Sequence, residues 1–498
     1  MSTVTIGKLL PETAAFLENS PIGLVIDGQS RPAQGGKTFA TVDPGSGNVL
    51  AQVAEGDGAD IDLAVQSADR AFKHSGWARM PPSERGVYLH RLADLVDERA
   101  RVLTQIESLD VGKPLAQARG DVWHFSKSMR YYADLALSIS YSNPIPVSKN
   151  EARVVRHPYG VCGFVLPWNF PLLLAGWNLA PALAAGNTMV VKPAEDTPLS
   201  TLYVARLAQE AGIPDGVLNV VAGMGETAGA ALSAHPGLKR MGFTGSPEVG
   251  RLIAAACGRN LVPVKLELGG KGAAVVFEDA PIEATANALV QAVTLNTGQV
   301  CCTATRWAVH ETIYDRFVEC ATERMSALRI GYGADPKTQM GPLVSAKQVD
   351  RVLGYLDKAC QEGARQVLVG GRAQAPGCEG GFYVKPAILE GSPDNVAARE
   401  EIFGPVPFLL KFGSEDEVVE MVNRSPYGLA NSVWTQDMDR ANRVAEELVA
   451  GNSWINAHNV FLHGVPYCGV NLSGMGGGVL GPDTLYDYLR PQSVVRPI

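Results

Sequence analysis

The sequence predicts an α/β protein made of two doubly wound units with a small β extension. Three observations lead there. From Val161 onward short apolar strands alternate with helices; the alternation begins again at Ala273; and two segments patterned apolar–polar stand outside both runs.

Taken in order, the first third reads as polar amphipathic helices. Residues 60–74 have helical periodicity with Asp60 as cap, and Ser83 opens a longer run with Tyr88, Leu92, Leu95, Val96 and Leu103 on its apolar positions. Strands are expected over 161–166, 188–192, 217–221, 239–243 and 263–268, with helices over 171–185, 198–211, 226–234 and 247–257. Unbroken apolar strands joined by crossover helices imply a parallel sheet covered on both faces. This is the nucleotide-binding type of half, whose ligand sits outside the carboxyl ends of the strands. The second alternation reads as strand 273–277, helix 282–295, strand 307–309, helix 313–329 and strands 366–369 and 407–412. Leu137, Ile139 and Tyr141 with serines between them, and the tail 488–495, alternate as strands do. Pro144, Pro146 and Pro491 confine these to edges, and unpaired edges invite a second subunit.

Composition narrows the function. With 498 residues, 46% hydrophobic and 19% charged, the chain can bury several cores, which excludes disorder. The 53 glycines follow no three-residue period, so a collagen-like repeat is excluded. The 43 Lys+Arg against 51 Asp+Glu leave a net charge of −8, which offers no basic field to nucleic acid or an anionic membrane. Eight cysteines in so long a chain read as a reduced, cytoplasmic set. Met1 to Leu10 lacks a secretory pattern. Between Arg156 and Lys192 there is no Asp, Glu, Lys or Arg, yet Pro158, Pro167, Pro171 and Pro181 with Asn169, Asn178 and Asn187 would break a membrane span. A buried strand–loop–helix is expected instead. The eight histidines form no ligand-spaced cluster, so no metal is expected.

Three motifs carry chemistry. Asn296-Thr297-Gly298-Gln299-Val300-Cys301-Cys302 places a thiol after a helix, where backbone N–H groups approach the sulfur. Adjacent cysteines also read as small core hydrophobes. Glu267-Leu268-Gly269-Gly270-Lys271 puts a carboxylate at a strand end, a candidate base for that thiol. Pro167-Trp168-Asn169-Phe170-Pro171 offers an amide at a strand-to-helix turn, suited to an oxyanion or to a helix cap.

With Lys192-Pro193-Ala194-Glu195, Phe243-Thr244-Gly245-Ser246, Arg306 and Glu401-Ile402-Phe403-Gly404-Pro405, these motifs resemble the aldehyde dehydrogenase superfamily over nearly the whole chain. The interval 301 − 267 = 34 is that of the family's glutamate–cysteine pair. The resemblance implies a Rossmann-like NAD-binding domain (1–130 plus 151–268), a catalytic domain (269–462) and oligomerisation strands (131–150 plus 475–498) of a homodimer or homotetramer. It implies that Cys301 attacks the aldehyde carbon, that Asn169 and the Cys301 N–H hold the oxyanion, and that Glu267 activates the water hydrolysing the resulting thioester. Lys192 and Glu195 correspond to contacts with the adenosine ribose, and a carboxylate there favours NAD over NADP. Ser246 and Gly245 correspond to the pyrophosphate site, Glu401 and Phe403 to the nicotinamide side, and Trp168 and Gln348 to the same cleft. Gly223-Met224-Gly225 reads only as a strand-to-helix turn.

Two departures stand out. Where many members carry a Lys and a Glu associated with a proton path to the general base, this chain has Asn178 and Gly478. The resemblance places Phe170, Leu174, Trp177, Phe461 and Tyr467 along the aldehyde tunnel, with His124, Leu173, Leu295, Val300 and Asn459 beside them. None is Arg, Lys, Asp or Glu, which points to a neutral aromatic or medium-chain aliphatic aldehyde. Betaine, amino-aldehyde or semialdehyde substrates are the alternatives, as is transfer of the acyl group to coenzyme A.

Overall fold

The computed structural model describes residues 9–498, so residues 1–8 of the amino-terminal segment scanned for a secretory pattern lie outside the described residues.

The first sheet has eight strands in the order Gln29–Arg31, Leu24–Ile26, Leu218–Val220, Thr188–Lys192, Val161–Val165, Arg240–Thr244, Val264–Glu267 and Gly474–Met475. The five inner strands are parallel. Leu24–Ile26 and Gly474–Met475 join them antiparallel. Chain order runs outward from Val161–Val165 to Leu218–Val220, then returns to Arg240–Thr244 on the other side. The strand direction of travel therefore switches between Val161–Val165 and Arg240–Thr244, and crossover loops diverge there to leave a crevice at the carboxyl ends. The uncharged stretch 156–192 supplies the centre of this sheet and the helix Pro171–Ala184, every residue of which is buried. No described helix is long and apolar enough to cross a membrane.

The second sheet has seven strands, ordered Arg365–Leu368, Ile388–Glu390, Phe408–Phe412, Ala304–His310, Gly272–Val276, Ala430–Trp434 and Asn452–Ile455. Only its first strand is antiparallel. Within Gly272–Val276, Ala273 and Val275 enter one hydrophobic cluster while Ala274 and Val276 enter another, as expected of a strand covered on both faces. A third, antiparallel sheet pairs Leu489–Pro497 with Asn150–Pro158 and that with Ser142–Ile145.

Local differences from the sequence reading have physical reasons. The second helix spans Gly58–His74 and is capped by Asp57, while Asp60 takes the third helical position and accepts from the Asp57 N–H. Leu137 belongs to the long helix Leu115–Ser138 rather than to a strand. Leu137 is exposed on the last turn of that helix, and strand pairing begins only at Ser142. The hairpin Thr38–Val42 with Val49–Ala54 lacks a buried face along most of one strand, and its alternation is correspondingly faint.

Candidate active site

Four of the motifs end neighbouring parallel strands. Lys192 and Glu267 are the last residues of their strands, the Trp168–Phe170 turn follows Val161–Val165, and Gly245 and Ser246 follow Arg240–Thr244. They therefore share one rim of the sheet, on both sides of the switch point. Cys301 comes to that rim from the other half of the molecule, on the turn after helix Ile282–Thr294.

That turn is held by hydrogen bonds of its own side chains and of Gln117. Asn296 and Thr297 have left-handed φ values of 46° and 57°, costly for a β-branched residue, and Gly298 follows at 75°. Gln117 Oε1 accepts from Asn296 N, Thr297 donates Oγ1 to Gly341 O, and Gln299 donates Nε2 to Asn296 O while its Oε1 accepts from Val344 N. A Cβ on Gly298 would stand 2.2 Å from the Gly404 carbonyl carbon. Gly298→Ala is thus expected to destabilise the fold by ~1–3 kcal/mol and to displace Cys301, read as a lowered melting temperature with impaired thiol labelling at that position.

Asn169 is 5% exposed and donates Nδ2 to Gln299 O at 2.9 Å, which ties the turn of the first sheet to the cysteine loop. Its own carbonyl accepts from Lys113 Nζ at 3.0 Å and Asn296 Nδ2 at 2.8 Å. It is not a helix cap: Phe170 occupies that position. Lys113 is itself paired with Asp121 at 2.5 Å and lies over the Phe170 ring. This buried support has no spacing signal in the sequence, because Lys113 reaches Asn169 only through the tertiary fold.

Cys301 Sγ lies 3.8 Å from Tyr467 Oη. A hydrogen bond with Cys302, followed by burial and the nearby charge of Glu401, holds its thiol well above the ordinary range. Cys302 also donates Sγ to Asn459 Oδ1 at 3.4 Å. Glu267 is 6% exposed, and neither carboxylate oxygen has a hydrogen-bond partner among the described residues. Burial raises its pKa far above that of a free carboxyl, Lys265 opposes this, and Cys301 adds to it. The resting thiol and the resting carboxyl are both biased toward their protonated forms.

The remaining candidates fall into two groups along the rim. Lys192 Nζ is 2.7 Å from Glu195 Oε2, and Gly225, in the turn that the sequence reading set aside, bonds Glu195 through its backbone. Burial raises the Glu195 pKa, but Lys192 and these hydrogen bonds outweigh it and leave the carboxyl below its usual value. Ser246 caps helix Pro247–Arg259, accepting from Val249 N, so a thirteen-residue helix points its amino end at the crevice. In the second group Gly270 N donates to Glu401 Oε1 at 2.9 Å, and Gln348 Nε2 donates to Phe403 O at 2.7 Å. The Phe403 ring meets Trp168 edge-on at 5.2 Å. Burial pushes Glu401 up to about 7. On the other side of Cys301, Trp177, Phe461 and Tyr467 pack together with centroids 5.3–5.8 Å apart, and Leu174 is buried on the turn preceding Trp177 in the same helix.

Residues 31–494 match the model of the aldehyde dehydrogenase family. The chain belongs to this family. It is 43% identical to human mitochondrial aldehyde dehydrogenase over 95% of its own length and 91% of the relative's. It is 40% identical to the putative aldehyde dehydrogenase DhaS of Bacillus subtilis, over 99% of each chain. The structure superposes on an aldehyde dehydrogenase from Bacillus cereus in complex with NAD+, with a TM-score of 0.96 and 40% identity over 99% of each chain.

Proposed function

We propose that this aldehyde dehydrogenase oxidises a neutral aldehyde to the carboxylic acid with NAD, through a thioester on Cys301 that Glu267 helps to hydrolyse. The carrying observation is that the cysteine loop of one half is tied to Asn169 through Gln299 O, and that Cys301 lies close enough to Glu267, at a strand end of the other half, to raise its pKa.

The rim fits a dinucleotide. Glu195 and Glu401 are carboxylates suited to ribose hydroxyls, Lys192 orients the first of them, and the Ser246 helix end with Gly245 suits a pyrophosphate. Gly225 and Gly229 lie beside these groups, and a Cβ on them would come to 3.9 Å from Glu195 Oε1 and 3.7 Å from Lys192 Cδ. When bound, NAD supplies the hydride acceptor. Phe403, Trp168 and Gln348 shape the cleft at the Cys301 end.

The protein's own steps follow. The Cys301 thiol loses its proton and the sulfur bonds the aldehyde carbon. Asn169 Nδ2 and the Cys301 backbone N–H donate to the oxyanion, each worth about 3–4 kcal/mol by analogy with single donors elsewhere. Once the carbon is oxidised to a thioester, Glu267 takes a proton from the attacking water, and the acid departs as the sulfur is released. Trp177, Phe461, Tyr467, Leu174 and Phe170 form an apolar wall for the aldehyde chain. Burial lowers His124 to about 4, so it brings no charge near neutral pH.

The same reading covers organisation. The first sheet belongs to an NAD-binding domain (1–130 plus 151–268), the second to a catalytic domain (269–462), and the third to oligomerisation strands (131–150 plus 475–498). Leu489–Pro497 is an edge strand whose residues beyond Leu489 are exposed, which supports pairing with a second copy in a dimer or tetramer. The eight free cysteines support a cytoplasmic location.

Benzaldehyde, octanal, betaine aldehyde and succinic semialdehyde, each with NAD or NADP and with or without coenzyme A, test the proposal. The expected result is equimolar NADH and acid without coenzyme A, with the neutral aldehydes and NAD preferred. Glu195→Gln should narrow the preference for NAD, since a carboxylate repels a 2′-phosphate. Product that forms only with coenzyme A would overturn the hydrolytic reading.

A further inference from the structure

After each hydrolysis the proton on Glu267 has to leave a buried site. Neither position tied to that task in the family pattern can do it here. Asn178 donates Nδ2 to Leu174 O at 2.9 Å, and its Oδ1 is buried without a partner among the described residues. Gly478 has no room for a side chain, because a Cβ would lie 2.5 Å from Tyr467 O and 2.8 Å from Cys468 Cβ.

The Gly478 carbonyl instead faces a buried cation. Lys265 is 1% exposed and directs Nζ toward Gly478 O at 3.5 Å. It lies two residues before Glu267 on strand Val264–Glu267, so the two side chains leave the same face of the sheet. Beyond it, Asp487 follows the short helix Asp483–Tyr486, reaches to 3.8 Å from Arg240 and has 30% of its side chain exposed. The titratable groups around Lys265 are Glu267 on its own strand, Arg240 on the neighbouring strand, and Asp487 and Tyr488 on the carboxyl-terminal segment, with Lys265 Nζ 5.6 Å from the centre of the Tyr488 ring. Cys301, Tyr467 and Cys468 are further titratable groups that interact with Glu267. Burial brings Lys265 down to about 8, with Glu267 and Asp487 raising it and Arg240 lowering it further. Such an amine both holds and releases a proton near working pH.

We propose that Lys265 is the proton partner of Glu267, a positioning residue that takes the proton of deacylation from the general base and delivers it to Asp487 at the surface. The proposal rests on the hydrolytic reading of Glu267. As water bonds the thioester carbon, one O–H bond breaks and its proton goes to a Glu267 oxygen. The C–S bond then breaks and the sulfur leaves with its electron pair. The Glu267 proton passes through a bridging water to the neutral Lys265 amine. The ammonium gives a proton to the Asp487 carboxylate, which exchanges with solvent. No electrons are gained or lost.

The test isolates deacylation and needs no cofactor. Cys301 is acetylated with p-nitrophenyl acetate, excess reagent is removed, and decay of the adduct is followed by intact mass across pH. The wild type should show a rate rising toward a plateau above about pH 8. Lys265→Met and Lys265→Arg should both slow decay at least about tenfold at neutral pH, with added imidazole restoring part of the rate and with melting temperature and adduct formation near wild type. Asp487→Asn, on the surface, should slow it less and serves if the lysine variants fold poorly. Wild-type decay in Lys265→Arg would show that a fixed charge suffices and overturn the relay, as would a Lys265→Met profile superposing on wild type. Glu267→Gln separates the two ideas. Slow decay there with normal decay in Lys265→Met overturns the relay alone, whereas normal decay in Glu267→Gln overturns the general base and the relay with it.

Discussion

Alanine at position 301 is expected to lower aldehyde oxidation by on the order of 10⁴-fold or more while leaving NAD affinity within about twofold. The reason is chemical: oxidation to an acid at this site requires a covalent sulfur–carbon adduct, and no neighbouring group replaces that sulfur. Cys302 is 1% exposed and directed to Asn459, so adjacency in sequence gives it no access to the carbonyl. The cofactor candidates Lys192, Glu195 and Ser246 do not touch Cys301, which is why binding should survive. Steady-state NADH formation and a fluorescence titration with NAD check the two halves. Activity within tenfold of wild type would sink the covalent mechanism. The raised thiol pKa gives a further sign: in the free enzyme, carbamidomethylation at Cys301, followed by peptide mass, should accelerate continuously through pH 8 rather than level off below it.

Glu267→Gln is expected to slow turnover about 10²–10⁴-fold and to shift the slow step to thioester hydrolysis, so that acyl-enzyme accumulates. The amide keeps the shape of the side chain but cannot accept a proton. The sign of the pH effect follows from the raised carboxyl pKa. The base form is scarce below that pKa and grows above it, so wild-type hydrolysis should rise as pH is raised beyond the ordinary carboxyl range, and the variant should lose that rise. Trapping the adduct by acid quench and intact mass gives the measurement. Unchanged hydrolysis with an empty Cys301 would remove Glu267 from the mechanism.

Much of the architecture was legible because it repeats a local rule. Apolar strands over 161–166 and 188–192 and their intervening helix form as read, since a strand covered on both faces can tolerate almost no charge. Elements without such a rule were harder. Leu137 alternates with serines yet is helical, and the Asp57–Asp60 pair at a helix start offers two capping carboxylates that periodicity does not separate. Site residues embedded in motifs were visible. Lys113 behind Asn169, Gln117 on Asn296, Gly225 on Glu195 and Lys265 behind Glu267 were not, because each acts across the fold or as an ordinary-looking strand residue.

The amino-acid order by itself determined which side chains are candidates for chemistry, and that Lys192 and Glu267 stand at the ends of apolar strands. Backbone periodicity and residue type are local, and they are written along the chain. Only the folded chain decided that the cysteine loop meets Asn169, that Cys301 comes near Glu267, and that the glycine at 478 turns its carbonyl to a buried lysine. Those encounters depend on distances between residues far apart in sequence, and on the loss of water that makes one charge feel another.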